Sequence, residues 1–299
     1  MESGKTTALQ GTLLKTRQSN EEKSLIICTE EGETEFQTDA LKYIGVDVVY
    51  VDEEEMLTEE FLEDLNRNYK PVNVYLEFNG MWDLKAFLNK KLPKGWYIAN
   101  TFSLVDATTY EVYMKNMRQT LMTPLSVSDV ILFNRCKEGF RKGEARRAIK
   151  LLNNRAELFF AGEDGKVDQG FDELNLTETE GVLEIDDAIF CPWFVDLIEH
   201  TDKYYGKEVE LTAMVSSGKG LMKDQFYAGR YVAICCAEDA QFVGFVAKYQ
   251  GNTPKDASWI KIRATLKQGE LEGKQRVIVL DVSGLEEVDA PEEKLLYFG

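Results

Sequence analysis

The sequence predicts a doubly wound, mostly parallel α/β domain followed by a small all-β barrel. In the first half, short apolar runs such as 24–29, 46–51 and 130–134 alternate with stretches of helical periodicity. This alternation is typical of parallel strands joined by helices. In the second half, short strand-like stretches follow one another between glycine-containing turns. Their spacing favours a barrel, and an OB-like fold is the preferred version.

In the first half, strands are predicted where apolar and β-branched residues run together, and helices where apolar residues recur at helical spacing. Thr58 is placed to cap one of these helices. Glu77, Asp106 and Asn134 fall at the carboxyl ends of strands, where α/β sheets bind ligands. The predicted order is helix 7–17, strands 24–29 and 46–51, helix 58–68, strands 72–78, 97–105 and 130–134, helix 141–153 and strand 157–161.

The second half begins with an acidic stretch, 163–182, that reads as a linker or an extended edge. A helix over 185–201 follows, with Phe194, Leu197 and Ile198 on its inward face. Strands are then predicted at 207–215, 226–236, 242–247, 259–266 and 275–282. The expected organisation is therefore a first domain over 1–162, a linker over 163–182 and a barrel domain over 183–299.

Composition indicates a globular protein that does not cross a membrane. The 299 residues carry a net charge of −17, and no apolar run is long enough to span a bilayer. The negative charge, and the lack of an aromatic and basic stripe, argue against binding of nucleic acid. Five cysteines without framework spacing favour a reducing, cytoplasmic location.

The start of the chain, Ser3-Gly-Lys-Thr-Thr7, contains the second half of a phosphate-binding loop. Glycine at position 4 permits the tight turn, Lys5 would reach the β- and γ-phosphates, and the Thr6 hydroxyl would join the Mg²⁺ shell. The full pattern also needs an earlier glycine and a preceding strand. We therefore expect a truncated amino terminus, a sheet that lacks its first strand, and a loss of stability from the empty central position.

Further motifs make residues 1–161 resemble the CobW-type P-loop GTPases and metallochaperones. These are the switch-like Glu30-Glu-Gly-Glu33 with Asp39, Glu77-Phe-Asn-Gly80 at a strand end, Val105-Asp-Ala107, and the Asn134-Arg135 segment. The resemblance implies Mg²⁺-dependent binding and hydrolysis of GTP. It assigns catalysis to Lys5, Glu77 and Gly80; nucleotide binding to Ser3, Gly4, Lys5, Thr6, Thr7, Asp106, Asn134 and Arg135; and Mg²⁺ to Thr6, Glu33, Asp39 and Glu77.

Two departures from the family pattern leave questions open. The guanine-reading motif N-K-x-D appears as Asn134-Arg-Cys-Lys137. Because its aspartate is absent, the choice between GTP and ATP stays open, and Glu138 in a shifted register is one substitute. The family's Cys-x-Cys-Cys metal-transfer motif is also absent, since no cysteine or histidine lies between Asp39 and Glu77.

The second half, over about 183–285, resembles the C-terminal domain of YcgQ-type proteins, which accompany YcgR-type permeases. The resemblance rests on Ile185-Asp-Asp187, Tyr204-Tyr-Gly-Lys-Glu-Val209 and Arg230-Tyr-Val-Ala-Ile-Cys-Cys-Ala-Glu-Asp-Ala240. Cys235, Cys236 and Asp239 form a candidate Zn²⁺ group, with His200 as a distant fourth ligand. The alternative is that both thiols are structural or redox groups, because neighbours on a strand point to opposite faces.

Two hypotheses of function follow. In the first, the chain hydrolyses GTP with Mg²⁺ and couples turnover to zinc handling or to a metal-dependent client or permease. In the second, it is a non-catalytic binding module or scaffold in which the NTPase site has lapsed.

Overall fold

The computed structural model describes residues 3–16, 22–30, 32, 34–233, 240–271 and 276–297. The chain divides into two compact units, one of 1–140 with 155–169 and one of 141–154 with 170–299. The expected organisation into 1–162, 163–182 and 183–299 stays a prediction. The two units differ from the expected domains mainly at 141–154, which was expected in the first domain and belongs to the second unit.

The first unit contains the α/β region. Its elements are α1 (Lys5–Thr16), β1 (Ser24–Cys28), α2 (Thr38–Tyr43), β2 (Val46–Tyr50), α3 (Glu59–Tyr69), β3 (Asn73–Glu77), α4 (Leu84–Leu88), β4 (Phe102–Asp106), α5 (Ala107–Asn116), α6 (Arg118–Val127), β5 (Val130–Cys136), β6 (Glu157–Gly162) and β7 (Val167–Asp168). The strand predicted from residue 97 begins at Phe102, and 97–101 is irregular.

Strand β1 is buried on both faces because helices cover both sides of its sheet. It lies between β2 and β3, and both pairings are parallel. Ile26 packs in a core cluster with Leu13 of α1 and Leu41 of α2, whereas Ile27 packs in a second cluster with Leu62 of α3. This explains why the sequence of β1 is continuously apolar, as in other parallel strands buried on both faces.

A second parallel sheet contains β4, β5 and β6, with β7 antiparallel at its edge. Asp106, the last residue of β4, lies opposite Asn134 of β5. The register then shifts between Phe133 and Cys136, and Arg135 has a φ of 53°, in the left-handed region. The irregularity thus falls within the segment predicted to read the base, and it removes Asn134 from the β5–β6 ladder while its pairing with β4 is kept.

Strands β3 and β4 each have one edge that pairs with no strand among the described residues. The parallel strands therefore form two sheets, β2-β1-β3 and β4-β5-β6. The predicted α/β region with parallel strands is confirmed, and the missing first strand stays a prediction.

The second unit contains a barrel with two helices. Its elements are α7 (Lys142–Leu152), β8 (Thr177–Thr179), β9 (Val182–Ile185), α8 (Asp187–Glu199), β10 (Glu208–Ser216), β11 (Gln225–Ala233), β12 (Gln241–Lys248), β13 (Trp259–Glu270), β14 (Arg276–Val288) and β15 (Leu295–Tyr297). Within the expected linker, β7 and β8 are short extended edges.

Five strands close the barrel in the order β10-β11-β12-β14-β13-β10, with β12 and β14 parallel and the other pairs antiparallel. Strand β10 alternates buried and half-buried residues, as expected for a closed barrel with a packed interior. Gly229 of β11 lies opposite Gly244 of β12, and a Cβ on Gly229 would lie 2.1 Å from the carbonyl oxygen of Val243. The predicted OB-like barrel is confirmed by this five-stranded order.

Helix α8 packs on the barrel through Trp193, whose ring lies 5.4 Å from that of Phe245. Asp186 caps its start by accepting a hydrogen bond from the Ile189 N–H. The prediction for Ile198 was wrong, because this side chain is 41% exposed while Leu197 is buried.

Helix α7 is joined to α8 within the second unit. Arg146 donates two hydrogen bonds to the Glu199 carboxylate, from Nε at 3.2 Å and from Nη2 at 2.5 Å. The guanidinium carbon of Arg146 lies 3.9 Å from the centre of the Phe171 ring, and Arg147 pairs with Asp172. These contacts explain why α7 belongs to the second unit.

No helix in the described part of the chain is long and apolar enough to cross a membrane.

Candidate functional site

The candidate site begins where the chain enters α1. Gly4 has a φ of 85°, a conformation that L side chains rarely adopt, so glycine is required at this turn. Lys5 is the first residue of α1 and forms an ion pair with Glu30, which follows β1 by two residues. Both side chains are mostly shielded from water. The lysine predicted to bind phosphate is therefore held at the carboxyl end of the first sheet.

Thr6 and Glu77 are in direct contact at the same edge. The Thr6 hydroxyl donates a 2.8 Å hydrogen bond to Oε1 of Glu77, at the end of β3. Oε2 of Glu77 is buried and has no hydrogen-bond partner among the described residues. Burial raises the pKa of the Glu77 carboxyl, while the Thr6 hydrogen bond and the Lys5 ammonium oppose that rise. A buried carboxylate oxygen without a partner is costly unless a cation or a donor reaches it.

The turn after β3 is hydrogen-bonded to Thr29, the residue that follows β1. The Thr29 hydroxyl donates to the Glu77 carbonyl oxygen at 2.9 Å and accepts from the Asn79 N–H at 2.7 Å. Gly80 lies in the turn that follows, where the Trp82 N–H donates to the Asn79 carbonyl oxygen. Thr29 was not among the residues predicted from the sequence, because the pairing of β1 with β3 is what places it beside Glu77 and Asn79.

Asn134 reaches the loop before α1 from the second sheet. Its Nδ2 donates a 2.6 Å hydrogen bond to the Ser3 carbonyl oxygen, and its Oδ1 is buried without a hydrogen-bond partner in the described chain. A Cβ on Gly4 would lie 3.7 Å from the same Nδ2. The structure therefore brings Ser3, Gly4 and Asn134 together, as the predicted nucleotide site requires.

Asp106 and Arg135 form a second pair beside Asn134. Nη1 of Arg135 lies 2.5 Å from Oδ2 of Asp106. Asp106 also caps α5, accepting from the N–H and the hydroxyl of Thr108. Although burial opposes the effect, the Thr108 hydrogen bonds and the Arg135 guanidinium hold the pKa of Asp106 below its ordinary value. Asp106 is thus an ionised residue with a structural role at the edge of the site.

The remaining predicted residues are placed less favourably or lie outside the described chain. Thr7 is exposed on α1, and Asp39 is exposed on the first turn of α2. No hydrogen bond or ion pair in the described part joins Asp39 to Thr6 or Glu77. The predicted site residues that lie outside the described part are Glu33, Cys235, Cys236 and Asp239. Their predicted roles in binding Mg²⁺ or Zn²⁺ stay predictions.

Within the described residues, no group of three or more histidine, cysteine, aspartate or glutamate side chains is arranged to hold a metal ion. Thr6 and Glu77 nevertheless offer one hydroxyl and one carboxylate side by side. Mg²⁺ at phosphate sites is ordinarily bound by one or two such protein groups together with phosphate oxygens and water. The pair therefore fits a magnesium ion that arrives with a nucleotide.

Comparison with known proteins gives one family match and one distant structural match. Residues 162–298 match the family model of the DUF1980 C-terminal domain. Among solved structures, a match is a Zn(II)-bound triple mutant of the YjiA GTPase, with a TM-score of 0.40 and 14% identity. The match covers 98% of this chain and 87% of that chain. The search of curated proteins gives no match. The stretch 162–298 is therefore similar to the DUF1980 C-terminal domain, and its resemblance to YcgQ-type proteins stays a prediction.

Proposed function

We propose that the first unit binds a nucleoside triphosphate with Mg²⁺ and hydrolyses it, with GTP as the preferred substrate. The observation that carries the proposal is the Thr6–Glu77 contact, in which a hydroxyl at the helix start donates to a buried carboxylate. The other oxygen of that carboxylate has no hydrogen-bond partner in the described part of the chain. Combined with the left-handed Gly4 and the adjacent Lys5, this is the residue set that phosphate binding needs.

Lys5 would hold the β- and γ-phosphates. In the structure its ammonium is paired with Glu30, so a phosphate has to replace that carboxylate. The backbone N–H groups at the start of α1 and the helix dipole add positive potential at the same place. The lysine is therefore already located at the helix start, where a phosphate would take the place of its present anionic partner.

Thr6 and Glu77 would hold Mg²⁺, which supplies charge neutralisation for the phosphates when it is bound. The unpartnered Oε2 of Glu77 supports this assignment, because a cation would satisfy it. Glu77 has a second role in the proposal, which is to orient the attacking water. Gly80 contributes its N–H toward the terminal phosphate from the turn that follows.

Asn134 would contact the base. Its Nδ2 donates to the Ser3 carbonyl oxygen, and its buried Oδ1 has no hydrogen-bond partner among the residues that the structure describes. Both carboxylate oxygens of Asp106 already accept hydrogen bonds, one from Arg135 and one from Thr108. Asp106 therefore does not take the place of the missing aspartate of the N-K-x-D motif, which ordinarily accepts hydrogen bonds from guanine. The proposal therefore predicts only a modest preference for GTP over ATP.

Fluorescent GTP binding with Mg²⁺, competed by unlabelled GTP and ATP, tests the proposal together with a phosphate-release assay. Lys5→Ala should weaken binding at least about tenfold, since hydrogen bonds to charged groups contribute ~1.5–3 kcal/mol. Lys15→Ala is the matched control, because Lys15 is exposed in the last turn of the same helix. It should bind like the unaltered protein.

Each alternative gives a different result. Binding without phosphate release would favour the non-catalytic module, and equal binding by both lysine variants would rule out the phosphate site. Coupling to zinc, to a client or to a permease remains an expectation from the family resemblances. A cytoplasmic location remains an expectation from the cysteine usage.

A further inference from the structure

Thr29 occupies a buried position between the two loops that end β1 and β3. It is 3% exposed. Its main-chain N–H donates to the Glu77 carbonyl oxygen at 3.0 Å, which continues the parallel ladder one step beyond the pair Cys28 and Glu77. Its hydroxyl then makes two further bonds, to the Glu77 carbonyl oxygen and from the Asn79 N–H.

The Thr29 hydroxyl links the two segments just beyond the last residue pair of the β1–β3 ladder. After Glu77 the chain turns away from β1, and the Asn79 side chain accepts from the Met81 N–H within this turn. The Asn79 N–H has the Thr29 oxygen as its acceptor instead of a strand carbonyl. Because a hydroxyl has one proton, and that proton is donated to Glu77, the direction of both bonds is fixed.

The two bonded groups belong to different parts of the proposed site. Glu77 carries the carboxylate that contacts Thr6, and Asn79 precedes Gly80 in the turn. Thr29 itself precedes Glu30, the partner of Lys5. One side chain therefore connects the segment that holds Lys5 to the turn that would contact the terminal phosphate.

We propose that Thr29 is a positioning residue that fixes the Glu77–Gly80 turn for the third phosphate of the nucleotide. This inference rests on the proposed function. The main effect is expected on the terminal phosphate, because the groups that would hold the other phosphates, at Gly4, Lys5 and Thr6, make no hydrogen bond to Thr29 in the described structure. Thr29 bonds the main-chain carbonyl oxygen of Glu77, whereas the Glu77 carboxylate proposed to hold Mg²⁺ is bonded by Thr6. The diphosphate and the triphosphate should therefore respond differently to its loss.

The test compares Mg²⁺·GDP and a non-hydrolysable Mg²⁺·GTP analogue in binding, and measures GTP turnover. Thr29→Val keeps the shape and the main-chain bond but removes both hydroxyl bonds. Since the Asn79 N–H would lose its acceptor and the turn would lose its link to Thr29, analogue affinity and kcat should fall at least about tenfold. GDP affinity should stay within about twofold, and Thr29→Ser should restore both quantities.

Thr101→Val is the matched control. The Thr101 hydroxyl likewise bridges two segments, since it donates to the Val127 carbonyl oxygen and accepts from the Asp129 N–H, but it lies just before the amino end of β4. It should leave the ratio of GDP to analogue affinity unchanged. If Thr29→Val does not fold, Thr29→Cys has nearly the same volume and weaker hydrogen bonding, and it should change the ratio in the same direction.

The outcomes separate the two proposals. If the unaltered protein binds neither nucleotide, the proposed function fails and the inference fails with it. If it binds both, and Thr29→Val weakens both equally or neither, the inference alone is overturned. A selective loss for the triphosphate supports it.

Discussion

The ion pair between α7 and α8 gives a quantitative prediction about stability. Arg146 and Glu199 are 8% and 15% exposed at their side chains, and the guanidinium also stacks on Phe171. Removing one partner of a buried pair typically costs ~3–5 kcal/mol. Lys150 lies 3.5 Å from Glu199 and would partly compensate its charge, so we expect Arg146→Met to cost about 2–3 kcal/mol.

Arg141→Met on the same helix is the control. Arg141 lies 2.8 Å from Glu144, but both side chains are more than half exposed, and such pairs contribute about 0.5 kcal/mol or less. Calorimetry should show the Arg146→Met transition lowered by about 5–10 °C, because 1 kcal/mol corresponds to ~2–4 °C for a unit of this size. Equal shifts for the two variants would refute the argument that burial makes the α7–α8 pair strong.

Three further predictions concern other parts of the molecule. Gly229→Ala should cost at least about 2 kcal/mol in urea unfolding because its Cβ would meet backbone, whereas Gly284→Ala, with 3.8 Å of clearance, should change little. Glu77→Gln should abolish turnover yet stabilise the nucleotide-free protein at neutral pH. Because the pKa of Glu77 is raised in the folded protein, its protonated form stabilises the fold below the ordinary value near 4.5, and this stability is lost as the pH rises. The advantage of the Glu77→Gln variant over the charged carboxylate should therefore vanish in thermal melts at low pH. Tyr204→Phe should cost ~1–3 kcal/mol in the same unfolding assay, since the buried Tyr204 hydroxyl donates to the buried carboxylate of Asp196.

The fold class could be predicted because each half repeats one simple pattern. The run Leu25-Ile-Ile27 is apolar on both faces, as a parallel strand covered on both sides requires. In β10, alternation identified the barrel wall. Ile198 could not be placed from sequence, because helical spacing gives a face of α8 but not how far the barrel covers it.

The candidate site was predictable only where a residue type has few other uses. A glycine before Lys-Thr, and an asparagine at a strand end, were sufficient to select Gly4 and Asn134. Thr29 was missed because its role depends on the register between β1 and β3, which places it beside Glu77. No local pattern encodes a pairing between residues 48 positions apart.

The membership of α7 in the second unit has a consequence for the order of synthesis. The chain passes between the units at 140–141, at 154–155 and again at 169–170. A ribosome releases Arg146 well before Glu199, which lies 53 positions later. Domains generally fold as they emerge from the ribosome. Here the α7–α8 pair must be the product of a late step, and a fragment that begins at residue 183 would reach the barrel strands without the helix that α8 binds.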